Sequence, residues 1–223
     1  MDRGAAPAGR RRTSGRNARH AADPAQKECQ YDRRNRAHRR GTRDGRGHHQ
    51  PHPPDQLSAN SLCPGWTVGF ELNHLVGGMR IFAAELSGVP AERAHHDDWL
   101  ENDPHAAFAT AARLDRAAWH RGDALDTTIQ LGFGPVPATM AARIHWTEVL
   151  VHGTDLAIAT GQTELVDQEQ CEQLLATMRT MNFDAFRQPG MFAAERPAPT
   201  GAAAHHRLLA FLGRELPLHA TGS

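Results

Sequence analysis

A carboxylate and an imidazole stand four residues apart in "HWTEVLVHGTDLAIATG", residues 145 to 161, where Glu148 and His152 interrupt an otherwise apolar, helix-compatible run. On an α-helix that spacing puts both side chains on one face, a turn apart. Ile144, Glu148, His152 and Leu156 step by four, and Met140, Ile144, Val151 and Ala159 share much of that face, so the polar pair points at a neighbouring element. An ionised carboxylate taken out of water is costly unless it is paired, hydrogen-bonded or bound to a metal.

A divalent metal is one such partner, because neutral imidazole and carboxylate oxygen are ordinary zinc ligands and helical bundles place metal sites between inward-facing side chains. The pair supplies two ligands, and a third must come from another helix. His74, in the middle of the strongly apolar "TVGFELNHLVGGMRIFAAEL", is the natural choice. Two histidines and one carboxylate with a position open is the ligand count of catalytic zinc, whereas structural zinc takes four protein ligands. Plainer accounts stand beside this one: Glu148 and His152 as an ion pair worth roughly a few tenths of a kcal/mol, and His74 as a hydrogen-bonded core residue. His145, three before Glu148, and the loop cluster His95, His96, Asp97 and Asp98 compete for ligand roles. No catalytic residue is assigned. Cys63 reads as a small half-buried residue more readily than as a nucleophile. Arg80, six after His74, reads as solvated more readily than as an anchor for an anionic substrate.

These side chains need helices to position them. One helix is expected from about Thr67, whose hydroxyl can cap its first turn, to Gly88, with Leu72, Leu75, Val76, Met79, Phe82 and Ala83 as its apolar face. Asp103-Pro104 opens a second, with Phe108, Ala112, Leu114 and Trp119 apolar and Gly122 as its stop. "LDTTIQLGFGPVP" is a short extended excursion, one strand pair at most. A long helix follows from about Pro137 to Gly161, with Gly153 a mild weak point, then "DQEQCEQLLATMRTMNF" and a short last helix ending at Gly213.

Of the 25 Lys and Arg, 14 fall in residues 1 to 54 beside only 5 acids, so the first part carries a balance of +9 and the remainder −9. Residues 1 to 54 hold almost no large apolar side chains and are expected to be a disordered Arg/His-rich tail; GC-rich codons read out of frame also give such a composition. Residues 55 to 223 are the folded domain. A nucleic-acid arm, or a metal tract at His48, His49 and His52, is a weaker reading of the tail. Three widely spaced cysteines, Cys29, Cys63 and Cys171, suggest neither a disulfide framework nor a metal knuckle, which fits a reducing cytoplasm. No run approaches the roughly 18 apolar residues of a membrane span, and no secretion signal is recognised.

Three ordered stretches, "CPGWTVGFELNHLVGG", "LGFGPVPATMAARIHWTEVLVHGTDLAIATGQ" and "HHRLLAFLGRELP", resemble the metal-binding domain of mycothiol-dependent maleylpyruvate isomerase and its relatives in the DinB/YfiT-like superfamily, over about residues 54 to 217. The resemblance implies an all-α, up-and-down four-helix bundle holding a divalent metal, usually zinc. His74, Glu148 and His152 match the family's histidine, acidic residue and histidine. It further implies mycothiol as thiol cosubstrate, a small electrophilic substrate, and isomerisation or S-transfer. The alternatives are a non-catalytic metal-binding or sensing module, and a metal-free helical domain. Two departures stand out: Thr154 precedes Asp155-Leu156-Ala157 where the family often has Trp, and the Arg-rich tail lies where the family's bundle begins with an apolar helix. A homodimer is expected if that first helix is missing, because exposed core then needs cover.

Overall fold

The computed structural model describes residues 56–188 and 190–216; the basic tail and its histidine tract lie outside them. Among the described residues there are five α-helices of eight residues or more and one two-stranded hairpin. Helix α1 is Val68–Leu86, α2 is Pro104–Trp119, α3 is Ala138–Ala159, α4 is Gln168–Arg179 and α5 is Ala204–Phe211. Strands β1 (Thr128–Leu131) and β2 (Gly134–Pro137) pair antiparallel, with Ile129 opposite Val136.

Three of the helices start where the sequence supplies an acceptor for the free amides of the first turn. Thr67 accepts from the Phe70 amide ahead of α1, Asp103 from Ala106 ahead of α2, and Asp167 from Gln170 ahead of α4. Helix α3 follows β2 directly, and Pro137 stands at its N-cap without a side-chain bond. Gly153 does not interrupt α3.

The core is built in three parts. Leu75, Val76 and Met79 of α1 pack with Trp99, Leu100 and Ala111. Phe82, Ala83 and Leu86 continue along α1 against Ala118, the hairpin's Ile129 and Val136, and Ala138 and Ala141 of α3. Val151 packs with Cys171, Leu174, Leu175 and Met178 of α4 and Leu208, Leu209 and Phe211 of α5. Two expected apolar positions differ: Phe108 is 41% exposed and Met140 is 54% exposed. The reason is local. Helix α2 presents small residues, Ala111 and Ala118, to its neighbour, and the inward face of α3 is largely polar, with His145, His152, Thr154 and Asp155 buried.

The Gly77-Gly78 pair in the middle of α1 has a packing cause. A Cβ on Gly77 would lie 2.7 Å from the His95 carbonyl oxygen and 2.7 Å from the Trp99 indole nitrogen, so the loop carrying both rests directly on the helix backbone. Gly77→Ala is therefore expected to destabilise the protein by about 1–3 kcal/mol in urea unfolding, despite alanine's better helix propensity. An unchanged or raised stability would show that the loop does not rest there.

Candidate metal centre

One stripe of α3 carries the polar side chains. His145, Glu148, His152 and Asp155 follow at steps of three, four and three, which keeps them on one side of the helix. Facing them, α1 presents Glu71 and His74, three apart. Where the helices meet, His74 Nε2 is 3.0 Å from Glu148 Oε2, and His152 Nε2 is 3.3 Å from the same oxygen. One ligand atom from each of the three residues lies within 4.8 Å of the others. The structure thus brings together the three residues that the sequence singles out.

The outer partners could not be read from spacing. His152 Nδ1 is 2.7 Å from Glu71 Oε1, and Glu71 is wholly buried. Ser61 Oγ donates to the other oxygen of Glu71. This is the carboxylate–histidine arrangement that fixes an imidazole's tautomer and leaves the far nitrogen for a cation. Behind it, Asp155, also wholly buried, accepts from Nε and the terminal nitrogen of Arg214 at 3.0 Å each, while its Oδ1 has no partner among the described residues. Trp66 lies nearly parallel to His152 with ring centroids 5.5 Å apart, and 4.9 Å from His74, covering one side of the site. Glu71 carried a signal that was available: an acid on the apolar face of α1, one turn before His74.

The electrostatics follow from that placement. Burial works to raise the Glu148 carboxyl, but the imidazoles of His152 and His74 outweigh it and hold it well below the usual carboxylate range. Burial likewise works to lower His152, yet Glu148 and Glu71 raise it to about 9. Asp155 is pushed up to about 7, first by burial and then by the negative charge of Glu71, with Arg214 opposing. Three acidic side chains, Glu71, Glu148 and Asp155, lie with one guanidinium, Arg214, so acidic groups outnumber basic ones before the imidazoles are counted. A divalent cation offsets such an excess, and two imidazoles with a carboxylate are suitable donors for it.

Without metal, a protonated His152 makes up part of the difference. Its folded-state pKa lies above the ordinary value of 6.5, so the stability it adds is fully present below pH 6.5 and lost as pH rises through about 9. Chelator-treated protein is expected to show a Tm that falls across that window, with a shallower fall in His152→Gln. A Tm that stays level from pH 6.5 to 9, or an equally steep fall in the variant, would count against this charge state.

The remaining candidates occupy other places. His145 Nε2 is 2.9 Å from Asp115 Oδ2. His95 Nε2 donates to the His74 carbonyl at 2.9 Å, and burial, with the nearby charge of His74, lowers His95 to about 4, so it stays neutral near pH 7. Asp97 and Asp98 accept backbone amides of their own loop. Arg80 is paired with Glu92 at 2.6 Å and lies over the Trp99 ring. Cys63 is half-buried ahead of α1. Beside the triad is a cavity of about 510 Å³, walled by Leu75, Met79, Ile81, Phe82, Leu131 and Val149, with His74, Glu148, His95, His96 and His145 also on its lining.

Comparison with known proteins places these residues in a family context. The family model described as "Mycothiol maleylpyruvate isomerase N-terminal domain" matches residues 38–157, more than half of the chain and a span that includes His74, Glu148 and His152. Proteins described as uncharacterized from two Mycobacterium tuberculosis strains, CDC 1551 and H37Rv, are each 34% identical over 161 residues, covering 72% of this chain and 86% of the relative. No solved structure gives a significant match.

Proposed function

The chain belongs to the mycothiol maleylpyruvate isomerase N-terminal domain family, and on that premise we propose that it binds zinc at His74, Glu148 and His152 and acts as a mycothiol-dependent isomerase or S-transferase on a small electrophilic substrate. The observation that carries this reading is the convergence of one ligand atom each from His74, Glu148 and His152 within 4.8 Å, beside a cavity that His74 and Glu148 line. The same reading takes the described helices as the body of an up-and-down four-helix bundle.

An ion held there supplies positive charge that favours the thiolate form of a thiol over its protonated form. The protein's own residues do the rest. Glu71, held by Ser61, keeps the His152 ring turned so that Nε2 faces Glu148. Trp66 covers the imidazoles on one side and limits water there. The aliphatic and aromatic wall of the cavity receives the apolar body of a substrate beside the triad.

The rival is a non-catalytic metal-binding or sensing module, favoured by the depth of the Asp155–Arg214 pair, which ties the chain after α5 to the site helix α3. Turnover separates the two. Zinc-loaded protein with mycothiol and an uncharged conjugated ketone, benzylideneacetone, is expected to consume the thiol at a rate abolished by chelator. A rate equal to the uncatalysed one would leave the module reading in its place.

A further inference from the structure

The lining of the cavity includes a second chemical group that the metal reading does not use. His145 stands one turn before Glu148 on the same stripe of α3, so a molecule seated beside the triad also meets its ring. That ring is unusually well fixed. Its Nε2 is bonded to Asp115 Oδ2 at 2.9 Å, and the other oxygen of Asp115 accepts the Trp119 indole N–H at 3.1 Å, so the carboxylate cannot turn away. Phe82 at 4.6 Å and the nearly parallel Trp119 at 5.5 Å hold the imidazole from its sides. Its Nδ1 has no hydrogen-bond partner among the described residues.

A carboxylate on one imidazole nitrogen keeps the proton there and leaves the other nitrogen as a base, the division of labour seen wherever an acid orients a catalytic histidine. A purely structural ion pair needs no cavity in front of it. Resting on the thiol-transfer reading above, we infer that His145, positioned by Asp115, is the proton-transfer residue of this cavity, acting on a low-molecular-weight thiol and an uncharged, apolar conjugated carbonyl compound. The substrate class follows from the wall: Leu75, Met79, Ile81, Phe82, Leu131 and Val149 favour an apolar body.

The step balances without a further reagent. The S–H bond breaks as His145 Nδ1 takes the proton, and the sulfur forms a bond to the β-carbon of the acceptor. The π electron pair of the C=C bond moves toward the carbonyl, and the resulting enolate takes the proton back from His145 at the α-carbon. The product is the thioether adduct, and His145 returns neutral. Asp115 touches neither reactant and serves as a positioning residue.

The test uses the full zinc-loaded chain. Long-range proton–nitrogen NMR of the wild type should show the His145 proton on Nε2 with Nδ1 bare, and Asp115→Asn should disturb that tautomer. With mycothiol and benzylideneacetone, His145→Gln is expected to lose about 100- to 1,000-fold in kcat/KM. It should also lose the acid limb of the pH profile, with zinc content unchanged. Asp115→Asn should fall in the same direction, and Asp115→Glu should recover part of the loss. Groups that could contribute their own limb are His74, Glu148, His95 and His96, which the variants leave in place. A proton found on Nδ1 in the wild type, or a His145→Gln enzyme with an intact rate and acid limb, overturns the dyad alone. Absence of wild-type turnover overturns the thiol-transfer reading and the dyad's role with it.

Discussion

Zinc retained by purified protein is expected to fall from roughly one ion per chain to near none when Glu148 or His152 is replaced by Ala, and to fall with His74→Ala as well. Each replacement removes one of three donors whose atoms lie within 4.8 Å of one another. Disturbing an outer-shell partner alone lowers metal affinity by about 10- to 100-fold, and losing a donor outright exceeds that. Glu71→Gln is expected to sit in the intermediate range, because it withdraws the carboxylate that holds His152 Nδ1 at 2.7 Å without removing a donor from the triad. His145→Gln should keep its metal, since that ring is committed to Asp115. Elemental analysis after dialysis, followed by calorimetric zinc titration, gives the ranking. Equal and low zinc in wild type and the Glu148→Ala variant would sink every metal-dependent reading and leave Glu148 and His152 as an ion pair.

The triad was legible because its members break a rule that their surroundings obey. Glu148 and His152 sit in an apolar helix at a one-turn spacing, and His74 sits beside an apolar stripe, so local pattern alone marks them as needing a partner. The helix starts were legible for the same local reason: Thr67, Asp103 and Asp167 each cap the helix they precede. What local pattern does not carry is which faces meet. Glu71 reaches His152 across 81 positions, and Asp155 reaches Arg214 across 59, so neither pairing has a periodic signature. His145 shows the cost of reading one helix at a time. Three residues from Glu148, it reads as a rival ligand from spacing alone, whereas the carboxylate of Asp115 on α2 takes its Nε2. Phe108 failed for the opposite reason: its size suggested core, but the close approach of α2 is made by alanines.

Arg214→Met is expected to cost about 3–5 kcal/mol, the largest stability loss of any single substitution considered, although Arg214 lies far from the triad in sequence. The guanidinium is 6% exposed and its partner Asp155 is fully buried, so the change strands a carboxylate that already has one oxygen without a hydrogen bond. Glu71 stands close by and adds repulsion. Losing Arg214 removes the charge that opposes burial at Asp155, which moves that carboxyl further above its present value of about 7. Because the folded-state pKa then exceeds the unfolded value of about 3.9 by a wider margin, the folded variant holds a proton that the unfolded chain has released, and its stability falls as pH rises through that interval. Urea unfolding should accordingly show the deficit widening as pH rises above about 7, where the wild-type Asp155 ionises beside Arg214 and the variant's does not. A double replacement, Asp155→Leu with Arg214→Met, removes both charges and should recover most of the loss, since an apolar pair of similar volume often replaces a buried ion pair at little cost. A single variant within about 1 kcal/mol of wild type at pH 8 would mean that the pair does not hold the chain after α5 against the site helix.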